Sequence, residues 1–137
     1  MLNLHPILVH FPIALFISSL GLEIASYLAR KESLHKTAFH IYILAACLAP
    51  LAVLTGLQQA NIYNLHHPVF YLHRNFGFLA SGISLISLPV FWVLSRKNPP
   101  LVRIVFLLFQ VTVVGCVIVA GFEGGRMVYE YGVGVSQ

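Results

Sequence analysis

Four long apolar segments constrain the fold of this chain more than any other feature of its sequence. Each is about 21–23 residues long, which is the length that crosses a bilayer as an α-helix. Because backbone polar groups in lipid must find partners within the chain, the segments are predicted to be helices. The predicted spans are residues 7–29, 37–57, 72–94 and 101–122.

The scarcity of charged residues excludes a water-soluble protein. Only 9% of the 137 residues are charged, whereas an ordinary soluble domain carries roughly 25%. Four spans also use so much of the chain that too few residues remain for a second domain. We therefore expect residues 1–137 to form one all-α domain, an integral-membrane four-helix bundle whose short connections favour up-down-up-down order.

The distribution of basic residues predicts the orientation in the membrane. The gaps after the first and third spans are basic, and the positive-inside rule places them in the cytoplasm. Both termini and the gap between the second and third spans then face outward. No basic run exceeds two residues, so nucleic-acid binding is not expected. The basic residues of the two gaps are Arg30, Lys31, Lys36, Arg96 and Lys97.

Two histidines at the outer ends of the first and third spans are the strongest candidates for function. From their positions in the spans and a rise of about 1.5 Å per residue, His10 is predicted roughly 12 Å from the bilayer midplane and His73 roughly 15 Å. The first and third helices are diagonal in an up-down-up-down bundle, which leaves room between them. We therefore predict that His10 and His73 bind one haem iron from opposite faces.

The residues around His73 and near the C-terminus suit a haem. Gly77 lies one helical turn after His73 and leaves space beside its ring. Arg74 and Arg126 are the outer-face cations that are available to pair with haem propionates. Two neutral imidazoles leave no open iron position, which favours electron transfer over oxygen chemistry. The predicted cofactor site is His10, His73, Gly77, Arg74 and Arg126, with the two histidines as metal ligands.

Other interpretations of the histidines stay open. An intramembrane histidine can simply hydrogen-bond a neighbouring helix, in which case the chain would be a cofactor-free structural or assembly subunit. His5, His66 and His67 are interpreted as solvated residues at the outer face, or alternatively as ligands of a transition metal. A small transporter is a third class, although no charged relay crosses the predicted bundle.

A second group of ionisable residues lies in the inner half of the predicted bundle. Glu23 is expected to face the interior and to pair with Arg103, with His40 near them. This group would be a structural ion pair, or alternatively a quinone or proton-relay site. Gln110, near the middle of the fourth span, is predicted to hydrogen-bond another helix.

A short internal echo relates the two halves of the chain. His5 and His10 precede the first span as His67 and His73 precede the third, and the paired residue numbers differ by 62 and 63. Two helical hairpins related by an axis along the membrane normal would produce such a repeat. Chance similarity is the alternative for so short a match.

Three segments resemble a known family of small membrane proteins, domain-of-unknown-function family 2231. They are HPILVHFPIAL at residues 5–15, the segment from His73 to Gly77, and GGRMVY followed by GVGV between residues 124 and 135. The resemblance implies a bacterial protein, whose inner-membrane location would place both termini in the periplasm. In the family a histidine commonly precedes the final Gly-x-Gly, where this chain has Tyr131. The chain also has a looser likeness to four-helix membrane cytochrome b subunits.

The sequence thus predicts a haem-b protein of the inner membrane, with one bis-histidine haem near the outer face. It would exchange electrons with a periplasmic redox partner, or anchor that partner, within a larger membrane complex. Independent catalysis is not expected, since the sequence offers no paired carboxylates and no nucleophile with a base. Quinone is a weaker candidate partner.

Overall fold

The computed structural model describes residues 4–63 and 65–134, and nearly all of them are helical. Each of the four helices is long and apolar enough to cross a membrane. The described residues include no strand, so the predicted all-α fold is confirmed. The helices are α1 (Leu4–Ala29), α2 (Glu32–Tyr63), α3 (Pro68–Lys97) and α4 (Pro99–Tyr129).

The helices form two closely packed hairpins that associate side by side. α1 packs along α2 and α3 packs along α4, while the α2–α3 and α1–α4 interfaces are smaller. In the part of the chain that the structure describes, α1 and α3 have no Cα atoms within 8 Å of each other, and neither do α2 and α4. These two pairs are therefore the diagonals of the bundle, as the predicted up-down-up-down order requires.

Each helix extends beyond the apolar segment that predicted it, and most of the polar gap at residues 58–71 is helical. Hydropathy marks only the part of a helix that faces lipid, whereas the backbone hydrogen bonds continue until a cap ends them. His67 caps α3 by accepting from the Val69 N–H at 3.3 Å. Asn98 caps α4 by accepting from the Leu101 N–H at 3.2 Å. A proline follows each cap, in the position where its missing N–H does no harm.

One aromatic residue from each helix meets the others in the core of the bundle. Phe16, Tyr42, Phe91 and Phe106 are each at most 2% exposed. The centroid of the Phe106 ring lies 5.3 Å from that of Tyr42 and 5.2 Å from that of Phe91, both edge to face. Such pairs set a positive ring edge on a negative ring face, so the cluster fixes the helix positions as well as filling the core.

Two buried hydrogen bonds connect the hairpins and reveal an internal repeat. Gln110 Nε2 donates to Ser19 Oγ at 2.6 Å, which confirms that Gln110 bonds another helix. Tyr42 OH lies 3.0 Å from Ser87 Oγ. The numbers of Ser19 and Ser87 differ by 68, and so do those of Tyr42 and Gln110. This correspondence at a spacing of 68 residues is here called the hairpin repeat. In each case a serine on the first helix of one hairpin bonds a polar side chain on the second helix of the other hairpin.

A buried carboxylate connects three helices at the end of the bundle that carries the basic turns. Glu23 is 0% exposed, Arg103 Nε donates to its Oε1 at 3.3 Å, and His35 Nδ1 lies 2.7 Å from its Oε2. Arg103 also donates from Nη2 to Ser26 Oγ at 2.6 Å. The predicted pair of Glu23 and Arg103 is confirmed. Both carboxylate oxygens have partners within the protein, which favours a structural ion pair over a quinone site.

The imidazole of this cluster is that of His35, whereas the sequence pattern indicates His40. His40 is exposed, and its Nδ1 donates to the carbonyl of Lys36 one turn earlier at 2.6 Å. α2 begins at Glu32, so His35 lies on its first turn, and a residue five positions later points to a different face of the helix.

We expect Arg103→Leu to lower the free energy of unfolding by about 2–3 kcal/mol, because it removes a charged partner from a carboxylate that stays buried. Thermal unfolding of the purified protein in detergent measures the effect. Arg96→Leu is the matched control, since Arg96 is exposed at the same end and stacks 4.0 Å above the centroid of Trp92. Equal losses for the two variants would contradict a stabilising role for the Glu23 pair.

Candidate functional site

The rings of His5 and His73 meet across a diagonal of the bundle. Their centroids are 6.0 Å apart, and their planes are inclined at 89°. His5 lies on the first turn of α1 and His73 on the second turn of α3. Because α1 and α3 are diagonal helices, the two side chains reach toward each other through the interior, at the end of the bundle opposite the basic turns.

Each of these imidazoles is anchored to the other helix of its own hairpin. His5 Nδ1 lies 3.0 Å from the Ala52 carbonyl oxygen on α2, and His73 Nδ1 lies 2.7 Å from the Ala120 carbonyl oxygen on α4. A carbonyl oxygen only accepts, so each Nδ1 carries the proton and donates it. The lone pair of each ring is then on Nε2, which no described residue engages in a hydrogen bond. Metal-binding histidines are held in this way by an outer hydrogen bond.

A glycine makes room for each of the two rings. Gly56 and Gly124 each lie one turn beyond the accepting alanine, on the same face of its helix. A Cβ at Gly56 would lie 2.7 Å from His5 Cε1, and a Cβ at Gly124 would lie 3.2 Å from His73 Cε1. The rings therefore pack on bare backbone, which lets Nδ1 reach the carbonyl. The Ala52 carbonyl also accepts from Thr55 Oγ1 at 2.9 Å, and that hydroxyl lies 3.3 Å from His5 Nδ1.

The two half-sites obey the same hairpin repeat as the hydrogen bonds in the core. Each hairpin supplies a histidine, an accepting carbonyl and a glycine. The contacts of the two hairpins thus correspond at a register of 68 rather than 62 or 63, and this register pairs His73 with His5 instead of His10. The equivalent pairs are His5 with His73, Ala52 with Ala120, and Gly56 with Gly124.

His10, the predicted partner of His73, takes a different position. It is exposed, and its Nδ1 is hydrogen-bonded to the carbonyl of Pro6 in its own helix. Its side chain lines the same cavity as His5 and His73. Across the described residues, the imidazole in contact with His73 is that of His5. Ligation by His10 therefore stays a prediction from the sequence.

The interpretation of His5 as a solvated residue is wrong, because its ring is partly buried and bonded to Ala52. Hydropathy places the start of the first span at residue 7, whereas the helix begins earlier and carries His5 inward. A sequence signal for this role does exist. The separation along the chain between His5 and Gly56 equals that between His73 and Gly124.

A cavity of about 470 Å³ surrounds the imidazole pair. Sites for cofactors and small molecules have volumes of about 300–1,000 Å³ and are lined mostly by apolar groups. This cavity is likewise lined mainly by apolar residues. The structure brings four of the predicted site residues to it, namely His10, His73, Arg74 and Gly77, and adds His5.

Among the described residues that line the cavity, Arg74 is the only charged one. Its guanidinium lies 5.8 Å from the ring centroid of Phe70 and 5.0 Å from that of Tyr71. Its Nε is buried and has no hydrogen-bond partner within the described structure. The same side chain donates from Nη2 to Asn75 Oδ1 at 3.4 Å. Buried donors are nearly always paired in proteins, so a bound anionic group would supply the partner that Nε lacks.

Arg126, the second predicted cation, is held by carboxylates. Its guanidinium lies 3.1 Å from Glu123 and 3.0 Å from Glu130. The hydrogen bond from Arg126 lowers the pKa of the Glu130 carboxyl below its ordinary value. Arg126 is not among the residues that line the cavity, so an anion bound there would have to compete with these two carboxylates.

The other outer histidines make local contacts. The ring centroid of His67, which caps α3, lies 4.3 Å from the ring centroid of Tyr131. His66 Nδ1 lies 3.3 Å from Tyr71 OH. In residues 4–63 and 65–134, no group of three His, Cys, Asp or Glu side chains is arranged to hold a metal ion.

We expect Gly56→Ala to destabilise the protein and Gly115→Ala to stabilise it. Alanine is favoured over glycine in a helix by about 0.8–1.0 kcal/mol, but overpacking costs about 1–3 kcal/mol. A Cβ at Gly115 meets nothing within 4 Å, whereas a Cβ at Gly56 meets the His5 ring. Thermal unfolding should rank Gly115→Ala above the wild-type protein and Gly56→Ala below it. A stabilised Gly56→Ala would show that the His5 ring does not depend on this contact.

Comparison with known proteins identifies one family. The family model described as a predicted membrane protein (DUF2231) matches residues 1–137. No curated protein and no solved structure matches the chain. The family description agrees with the four membrane-length helices, and the function has to be argued from the site itself.

Proposed function

The chain belongs to the DUF2231 family of predicted membrane proteins, and we propose that it binds one b-type haem between His5 and His73 and transfers electrons. The observation that carries the proposal is the contact of the two imidazoles across the diagonal, in which each Nδ1 donates to a carbonyl and no described residue engages either Nε2. This assigns to His5 the role that the sequence alone gives to His10. When bound, the haem would supply one-electron redox chemistry.

The spacing of the two rings suits a single metal ion between them. A metal–imidazole bond is about 2 Å long, and a ring centre lies roughly one ångström behind its nitrogen, so two opposed ligands have centroids roughly 6 Å apart. The centroids of His5 and His73 are 6.0 Å apart. Their perpendicular planes are compatible with ligation, because rotation about a metal–nitrogen bond leaves that bond unchanged.

Two ligands suit a haem better than a bare metal ion. A structural zinc site takes four ligands from the protein, and the described residues bring no third metal-binding side chain to the pair. A porphyrin brings four nitrogens of its own, so the protein would have to supply only two ligands, here His5 and His73. The mainly apolar cavity would keep water away from a flat macrocycle.

Arg74 and Gly77 support the same proposal. The buried Nε of Arg74, which has no partner among the described residues, would be satisfied by a propionate through a charge-assisted hydrogen bond. Gly77 lines the cavity on the next turn of α3 and presents no side chain to a ligand. Arg126 is the weaker candidate for a second propionate, because Glu123 and Glu130 already engage it.

The residues of the chain would adapt this site to electron transfer. The carbonyls of Ala52 and Ala120 orient both imidazoles and keep the proton on Nδ1. With His5 and His73 as its two protein ligands, a bound haem would have no free position for oxygen, which suits electron transfer. The site lies opposite the basic turns, so the expected electron partner is a periplasmic redox protein or a larger membrane complex.

A cofactor-free structural or assembly subunit is the second candidate. The two imidazole–carbonyl hydrogen bonds also join α1 to α2 and α3 to α4. Hydrogen bonds between membrane helices stabilise by about 0.6 kcal/mol on average. In this case His5 and His73 would contribute to stability alone, and an absorbance spectrum separates the two candidates.

We expect the protein purified after haem-replete expression to show a Soret band and, on reduction, α and β bands. His5→Ala and His73→Ala should each abolish the bis-histidine spectrum, because each removes one axial ligand. His40→Ala is the matched control, since this exposed histidine bonds its own helix at the opposite end of the bundle. A folded wild-type protein without a Soret band would overturn haem binding.

The variant His10→Ala distinguishes the two ligand pairs in the same experiment. With His5 as the ligand, His10→Ala retains the bands. Loss of the bands in His10→Ala, together with their retention in His5→Ala, would assign the site to His10 and His73 as the sequence alone predicts.

The orientation of the chain belongs to the same proposal, with the site facing the periplasm of a bacterial inner membrane. The turns between α1 and α2 and between α3 and α4 lie at one end, and the positive-inside rule places a basic end in the cytoplasm. The end with the imidazole pair then faces outward, together with both termini. The basic residues at or beside the turns are Arg30, Lys31, Lys36, Arg96 and Lys97.

Cysteine labelling tests this orientation. In a background with Cys47 and Cys116 replaced by serine, Tyr131→Cys should react with a membrane-impermeant maleimide in intact spheroplasts. Ser33→Cys should react only after lysis. Both positions are exposed, so accessibility to the reagent reports the side of the membrane. The reverse pattern would place the imidazole pair at the cytoplasmic face.

A further inference from the structure

We propose that the occupant of the cavity lies against the α3–α4 hairpin, on a face formed by Gly77, Gly121 and Gly125, with its acidic group at Arg74. The ligand class is a flat apolar body that carries a carboxylate, which is the chemistry of a tetrapyrrole. The inference rests on the proposed function for the identity of the ligand. It adds a binding face that the two histidines do not define.

The hairpin repeat shows where the two sides of the cavity differ. Most residues that line the cavity fall into equivalent pairs, one member from each hairpin. In three pairs the member from α1 or α2 is a branched apolar residue and its counterpart is glycine, whereas in two pairs an alanine of α2 corresponds to a valine of α4. The three pairs are Val9 with Gly77, Val53 with Gly121, and Leu57 with Gly125, and the other two are Ala49 with Val117 and Ala60 with Val128.

The three glycines face open space. A Cβ at Gly77, Gly121 or Gly125 would meet nothing within 4 Å, whereas a Cβ at Gly56 or Gly124 would meet an imidazole ring. Glycine in a helix costs about 0.8–1.0 kcal/mol relative to alanine, and at these three positions no close contact within the protein requires it. All three line the cavity, so at these positions backbone rather than a side chain is available to a planar ligand.

Charge marks the same side of the cavity. The counterpart of Arg74 in the first half of the chain is Pro6, so the cation occurs once although the ligand histidine occurs twice. The Nε of Arg74, which has no partner among the described residues, and the three glycines belong to the same hairpin. A ligand with a flat apolar body and a carboxylate at its edge satisfies both features at once.

The test is to give each glycine the residue that its counterpart already carries, as Gly77→Val, Gly121→Val and Gly125→Leu. Gly115→Val is the matched control, because a Cβ there also meets nothing within 4 Å but the residue does not line the cavity. The probes are hemin and iron-free protoporphyrin IX, titrated into the detergent-solubilised full chain and followed by absorbance and porphyrin fluorescence. The filled variants should bind both probes about 10-fold or more weakly, and Gly115→Val within about 2-fold of wild type.

Arg74→Gln tests the acidic group without filling the cavity. It should weaken binding of both probes about 10-fold, because a charge-assisted hydrogen bond to the carboxylate is lost. The dimethyl esters of the two probes carry no carboxylate, so Arg74→Gln should not change their binding. Thermal unfolding of each variant establishes that the protein is folded before it is titrated.

The outcomes separate this inference from the haem proposal. Protoporphyrin binding that weakens in the filled variants, without a histidine-dependent hemin spectrum, would support the binding face and overturn the electron-transfer proposal. A histidine-dependent hemin spectrum that is unchanged in the filled variants and in Arg74→Gln would support the haem and overturn the face. A folded wild-type protein that binds neither probe would overturn both.

Discussion

The hydrogen bonds that His5 and His73 donate to backbone carbonyls determine the geometry of the bundle at the end opposite the basic turns. In lipid an unsatisfied polar group costs several kcal/mol, so an imidazole on a membrane helix must find an acceptor. Most helix carbonyls are shielded by the side chain one turn further along. Gly56 and Gly124 remove that shield where a ring has to pass. Ring, carbonyl and glycine therefore act as one unit, and each histidine is positioned by the helix against which it lies.

The polar groups give the two ends of the bundle different characters. At the basic end, His35 and Arg103 satisfy both oxygens of Glu23, so that end is closed. At the other end, Arg74 Nε has no partner among the described residues, and neither imidazole uses its Nε2. Between them the aromatic cluster fills the core, and the cavity reaches down to Phe16. Gln110 Oε1, near the middle of the bundle, also lacks a partner among the described residues. The proposed ligand would satisfy the polar groups at the end that carries the imidazole pair.

Sequence patterns predict two kinds of feature. One is a property of a single helix, and the other is the pairing of charged groups that lie within the membrane. Helix number and order follow from hydropathy, and the Glu23–Arg103 pair follows because ionised groups in lipid must be paired. The roles of His5 and His35 depend on where a helix starts and how it is rotated about its axis, and hydropathy fixes neither. The register of the hairpin repeat is visible in the spacing of histidines and glycines. The meaning of this spacing is clear only from the structure, in which the missing side chain of each glycine leaves room for an imidazole ring.

The repeat has an evolutionary consequence. Two copies of an ancestral hairpin, associated as a homodimer, would bring one histidine from each subunit to the two-fold axis. In such a dimer every substitution near the axis occurs twice, so a cation there would face its own copy. Gene duplication and fusion remove that constraint, and one half can then acquire Arg74 while the other keeps Pro6. A chain that arose in this way would impose a single orientation on the proposed ligand, which two identical subunits cannot do.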